Sequence, residues 1–202
     1  MKPFFCLIFA AMFCLFFPLP VLAAGRSSSV PAVKPEINVE IDNGKPAYLY
    51  KNKKVLCGDG NDGHTLGCTR VSFYAEMRGA EMTPDGALKK IKLLIGLKNV
   101  EVELSSELVK GSCLFDVVLK HELTHLALHR GILKRFSPEI AKAVLSAADK
   151  IPVPLTQSGF DKLAKVLHSY ADKMMREDER QNNLMDSSNA YRFQQEQCRK
   201  KR

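Results

Sequence analysis

The chain has 202 residues, 46% of them hydrophobic and 26% charged, which supports one folded core and excludes a disordered or fibrous protein. Its formal net charge is +8, yet the 30 Lys and Arg residues are scattered. Only Arg199-Lys200-Lys201-Arg202 forms a basic run, too short to support a nucleic-acid partner. Such a surface serves solubility and would also favour anionic cell-envelope polymers.

Residues 1–24 read as a secretory signal peptide. Lys2 supplies the positive end, Phe4 to Phe17 is unbroken apolar sequence, Pro18 and Pro20 break it, and Ala23-Ala24 offers small residues for cleavage. An uncleaved anchor over Phe4 to Leu22 is the competing reading; the prolines and small residues favour cleavage, with no stable membrane insertion afterwards. The expectation is a periplasmic or secreted protein. Residues 25–35, rich in serine and proline, form a flexible lead-in, and residues 36–202 a single domain.

Export changes the reading of the cysteines. The mature chain keeps Cys57, Cys68, Cys113 and Cys198, an even number suited to two disulfides in an oxidising compartment. Cys57–Cys68 would staple the Gly-rich loop between them, and Cys113–Cys198 would tie the tail to the segment before the first helix. A four-cysteine zinc site is the rival, weakened by the lack of any Cys-x-x-Cys pair.

The expected fold class is α+β, a small mostly antiparallel sheet followed by a helical half. Ile37, Val39 and Ile41 alternate with polar residues, Asn43-Gly44 supplies a turn, and Ala47 to Lys51 a return strand. Val71, Phe73 and Ala75 alternate again. Leu88 to Leu97 is ambiguous between strand and helix, and Val100, Val102 and Leu104 mark a further strand. The helical half begins at Cys113, with Gly131 placed to end the first helix. Ser137-Pro138-Glu139 starts a second, which Pro152 and Pro154 end. A third carries Phe160, Leu163, Leu167, Tyr170 and Met174 along one face, and Asp186-Ser187-Ser188 caps a short last helix reaching Cys198.

The first helix contains His121-Glu122-Leu123-Thr124-His125. A spacing of four puts both imidazoles on one helix face, close enough to share one zinc ion, with Glu122 free to reach a water beside it. The stretch resembles the zincin metallopeptidases, in which His-Glu-Leu-Thr-His is a familiar form of the motif. The resemblance covers about ten residues and the order of strand then helix. It implies that His121 and His125 are zinc ligands, that Glu122 is the catalytic base, and that peptide bonds are hydrolysed by glutamate-assisted attack of zinc-bound water. The metzincin subgroup is excluded, because Leu128 and Gly131 stand where its glycine and third histidine belong.

A gluzincin-like arrangement takes its third ligand from a later helix. Glu177 ranks first, on the continuation of the Phe160–Met174 stripe, followed by His129, Asp178 and Glu139. His129 lies about 12 Å along a straight helix from His121, so it can share the ion only if the helix breaks early, and otherwise reads as a C-terminal histidine favoured by the helix dipole. A solvated glutamate in the polar run Arg176 to Arg180 is the competing reading of Glu177. His168, off the apolar stripe, and His64, in the loop, read as exposed. Tyr170 reads as core, while Tyr191 could donate to an oxyanion. The expectation is an exported zinc metallopeptidase acting on a protein or peptide substrate, cell-wall peptides among the candidates by location. The alternative is a non-catalytic exported domain that binds zinc structurally or binds a cell-envelope partner.

Overall fold

The computed structural model describes residues 34–56, 65–186, 196 and 198, all in the second of two units, Met1–Ala32 and Val33–Arg202. The signal peptide, His64, Tyr191, the basic tail and most of the expected last helix lie outside the described residues. Among the described residues no helix is long and apolar enough to cross a membrane.

The elements run β1 (Glu36–Asp42), β2 (Ala47–Lys51), β3 (Gly67–Met82), β4 (Leu88–Ser105), α1 (Cys113–Ala148) and α2 (Gln157–Met185). This is an α+β arrangement, but the sheet is not mostly antiparallel. β1 and β2 both run parallel to β4, and only β3, on the other side, is antiparallel to it. Nor do β1 and β2 form a hairpin. Glu36 faces Lys90 and Ala47 faces Glu101, the same offset, so the two strands follow each other along one edge of β4.

Gly44 explains why the chain carries on instead of turning back. Its φ is +63°, and a Cβ there would stand 2.5 Å from Val100 Cγ2 and 2.9 Å from Leu97 O. The glycine thus serves a close approach to β4 rather than a reversal. Arg130 of α1 clamps the bend, donating to Asn43 O at 3.3 Å and Gly44 O at 3.1 Å. Further along, Lys51 of β2 and Arg70 of β3 converge on the fully buried Glu103 of β4, so a charge that would be costly alone is compensated from both flanking strands.

β4 is a single strand of 18 residues that joins both apolar runs of the sequence. Its pairing with β3 shifts between Arg70 and Ser72, and Asn99 takes φ +53°, marking a bulge. The extra residue moves the inward positions from Ile91, Leu93, Ile95 and Leu97 to Val100, Val102 and Leu104, all buried. Without the bulge the second set would face the wrong side of the sheet.

Both helices pack on the apolar face of this sheet. Leu126, Ile132, Leu133, Ile140 and Val144 of α1 and Leu163, Leu167 and Met174 of α2 share one core with the β4 side chains. Ser112 caps α1, accepting from Phe115 N at 3.2 Å. The helix then runs unbroken through Gly131 and Ser137-Pro138, where a stop and a new start were expected. The reason is packing. A glycine costs a helix interior about 1 kcal/mol and a proline about 3 kcal/mol. Each buried Leu, Ile or Val on the continuing stripe contributes about 1.5–3 kcal/mol, and the sum prevails. Ser137, buried in the same stretch, donates its hydroxyl to Leu133 O at 2.7 Å.

Candidate metal centre

α1 places His121, His125 and His129 one turn apart on a single buried face, with Glu122 buried beside the first. α2 runs antiparallel against this face and presents Asp178, Asn182 and Asp186 at the same four-residue spacing. Each polar residue of α2 meets a histidine of α1, and each histidine meets a partner.

At the open end of this ladder three donor atoms converge. His121 Nε2 and His125 Nε2 stand 3.1 Å apart, and Asp186 Oδ1 lies 3.0 Å from the first and 2.9 Å from the second. Two ring nitrogens and a carboxylate oxygen this close repel one another unless a cation, a proton or a metal ion, is shared among them. Four ligands set tetrahedrally at zinc–nitrogen bond length would be about 3.3 Å apart, close to the triangle found here. The donor set therefore fits a metal ion. His121 and His125 are 4% and 6% exposed and Asp186 is exposed, so the carboxylate forms the solvent side of the cluster.

The electrostatics follow from this packing. Burial resists charge on Asp186, but the hydrogen bonds of His121 and His125 outweigh it and hold the carboxyl well below its usual range. For His125, burial again opposes the charged form, while Asp186, Asn182 and Glu122 prevail and push the imidazole up. Glu122 moves the other way: burial pushes its carboxyl up, against the two imidazoles and Thr69. Thr69 Oγ1 on β3 lies 2.9 Å from Glu122 Oε2 and 3.0 Å from Glu122 O, so it can donate to either. The start of β3 therefore sets the carboxylate's orientation.

Glu177, expected to complete the ligand set, does not reach the cluster. It is held by Arg135 at 2.9 Å, by Arg180 at 2.9 and 3.0 Å, and by Gln181 at 2.6 Å, and the Arg180, Gln181 and Arg135 bonds hold its carboxyl well below the usual range. Asp186, not Glu177, is the carboxylate that stands with the two histidines. The cause is helix phase: the face of α2 that carries the buried Met174 continues to Asp178, Asn182 and Asp186, which meet the histidines, and Glu177 falls to the side where Arg135 waits. His129 and Asp178, two of the other candidates, are paired with each other at 2.5 Å, one rung below Asn182. Among the described residues His129 Nε2 is buried without a hydrogen-bond partner, with the ring edge-on to Phe73. Glu139 and His168 are exposed, and Tyr170 packs on the core.

Asp186 was missed because Asp-Ser-Ser reads as a helix start, whereas the residue is the C-cap of α2. The start of α1 is fastened by the Cys113–Cys198 disulfide, as the cysteine pattern suggested. Cys68 is disulfide-bonded as well; Cys57, its expected partner, lies outside the described residues. No protein-family model matches the chain, and neither does any curated protein or solved structure.

Proposed function

We propose that the protein is an exported zinc metallopeptidase in which His121, His125 and Asp186 hold the metal and Glu122 is the general base. The observation that carries this reading is the convergence of the three donor atoms within 3.1 Å of one another on a His-Glu-x-x-His helix. Three protein ligands, one of them a carboxylate at the solvent side, match the pattern of catalytic zinc sites, which leave a fourth position open. Zinc bound there would supply Lewis acidity, polarising a peptide carbonyl and acidifying a water molecule beside Glu122. Glu122, buried beside the first histidine and hydrogen-bonded by Thr69, would take the proton and pass it to the leaving amine. Burial favours the protonated carboxyl and so makes Glu122 a better base than an exposed glutamate.

Export is supported by the signal-like first 24 residues and by disulfides at Cys68 and Cys113–Cys198, bonds that persist in oxidising compartments. The substrate class is a protein or peptide, with cell-wall peptides suited to that location.

A second reading, a structural zinc site, draws on the burial of His121, His125 and Glu122. Metal analysis and Glu122→Gln separate the two. Wild type should purify with near one zinc per chain, and His121→Ala and His125→Ala with none. Glu122→Gln should keep the zinc and lose peptide hydrolysis. Zinc in wild type with no hydrolysis of any peptide library would favour the structural site; no zinc after reloading would end both readings.

A further inference from the structure

Asn182 lies one helical turn before Asp186 and touches the centre from behind. Its Oδ1 stands 2.6 Å from His125 Nδ1, and its Nδ2 donates to Asp178 O at 2.9 Å. The second bond decides the first. With the amino end of the carboxamide engaged by a backbone carbonyl, the end that faces His125 is the oxygen, which only accepts. The ring must then carry its proton on Nδ1 and keep its lone pair on Nε2, the atom that faces His121 and Asp186.

From this geometry we infer that Asn182 is a positioning residue, and the inference rests on the metal-centre reading above: it holds His125 in the Nδ1–H tautomer and so presets Nε2 for a divalent cation. The neighbouring rung shows what sets Asn182 apart. His129 is met at Nδ1 by the carboxylate of Asp178. At His125 a neutral amide does the same orienting without adding a second negative charge to a centre that already holds Asp186. A bound divalent ion thus keeps more of its Lewis acidity than it would with a carboxylate in that place.

The test uses the whole mature chain, metal-free, with imidazole nitrogen–proton correlation spectra followed across a pH series as one readout and zinc chloride affinity by chelator competition as the other. Wild-type His125 should show the proton on Nδ1. Asn182→Leu should lose that preference and bind zinc about 10–100-fold more weakly, the usual cost of removing an outer hydrogen-bond partner. Asn182→Asp, which still accepts from Nδ1–H, should restore both the tautomer and the order of magnitude of the affinity. A wild-type spectrum with the proton on Nε2 overturns the proposal without recourse to any variant. So does Asn182→Leu with tautomer and affinity unchanged. The Nδ1–H tautomer in a wild type that binds no zinc would overturn the metal-centre reading and leave the tautomer assignment standing.

Discussion

Gly67 and Glu122 are 55 residues apart in sequence, yet a Cβ on Gly67 would stand 2.6 Å from Glu122 Oε1 and 2.8 Å from its Cγ. The start of β3 therefore backs directly onto the carboxylate that Thr69 orients two residues later. Gly67→Ala should push that carboxylate off its position and destabilise the fold by about 1–3 kcal/mol, the usual cost of overpacking a filled site. The three atoms nearest the added methyl belong to Glu122 and Val118, not to either histidine or Asp186. The expected result is a lower midpoint of thermal unfolding and reduced peptide hydrolysis, with zinc content unchanged. Full hydrolytic activity in a folded Gly67→Ala protein would count against Glu122 as the base.

The third ligand can be decided by comparing two acidic residues on one helix. Asp186→Ala removes an atom within 3.0 Å of both histidine nitrogens, whereas Glu177→Ala removes ion pairs to Arg135 and Arg180 and a hydrogen bond from Gln181. Zinc affinity should fall by more than about 100-fold in the first, beyond the cost of losing an outer-shell partner. In the second it should hold, with little change in stability, because the pairs that are lost are screened by solvent. The reverse order, measured by chelator competition, would return the ligand role to Glu177.

The part of the centre that is legible in the sequence is the part made by one helix. His121, Glu122 and His125 come together by helical spacing alone, so no knowledge of tertiary structure is needed to see them. Asp186 belongs to a second helix, and its place depends on how α2 docks. A signal was nonetheless present. As α1 descends from His129 to His125 to His121, α2 climbs from Asp178 to Asn182 to Asp186 in equal steps. After Met174 no buried apolar residue remains on α2, so polar pairs hold its last turns. Strand faces were legible too, because a period of two shows which side is buried. It does not show which neighbour a strand takes, or in which direction. Asn43-Gly44 therefore reads as a hairpin turn in the sequence, whereas in the fold the glycine serves its close approach to Val100. At Gly131 and Pro138 local helix-breaking signals lost to the buried stripe that runs past them.

Gly131 offers a direct check on that last point. It lies on the exposed side of α1 with nothing within 4 Å of a Cβ, and its φ is not among the positive ones. In a continuous helix Gly131→Ala should stabilise by about 0.5–1 kcal/mol, raising the unfolding midpoint by roughly 1–4 °C. Had the helix ended there with a left-handed glycine, alanine would be strained and the midpoint would fall. The sign of the shift distinguishes one helix from two.

Asp42 at the end of β1 and Tyr74 on β3 both face Gly96 of β4, and the phenol donates to Asp42 Oδ2 at 2.9 Å across it. This contact exists only because β1 lies parallel along β4. Burial of the phenol, the hydrogen bond to Asp42 and the charges of Asp42 and Glu76 push Tyr74 up to about 12. The Gly44 amide and the phenol in turn hold the Asp42 carboxyl below its usual range. The raised phenol favours the folded state fully below the unfolded value of about 10. That contribution is lost as pH rises through about 12. The depressed carboxyl contributes above its ordinary 3.8 and loses that contribution as pH falls through the lower folded value. Asp42→Asn should therefore bring one tyrosinate absorbance step down from about 12 by the part that Asp42 contributes, leaving the part due to burial, and should remove the acid-side dependence. If the ultraviolet titration is the same in wild type and variant, Asp42 does not reach Tyr74, and β1 cannot lie along β4 in this register.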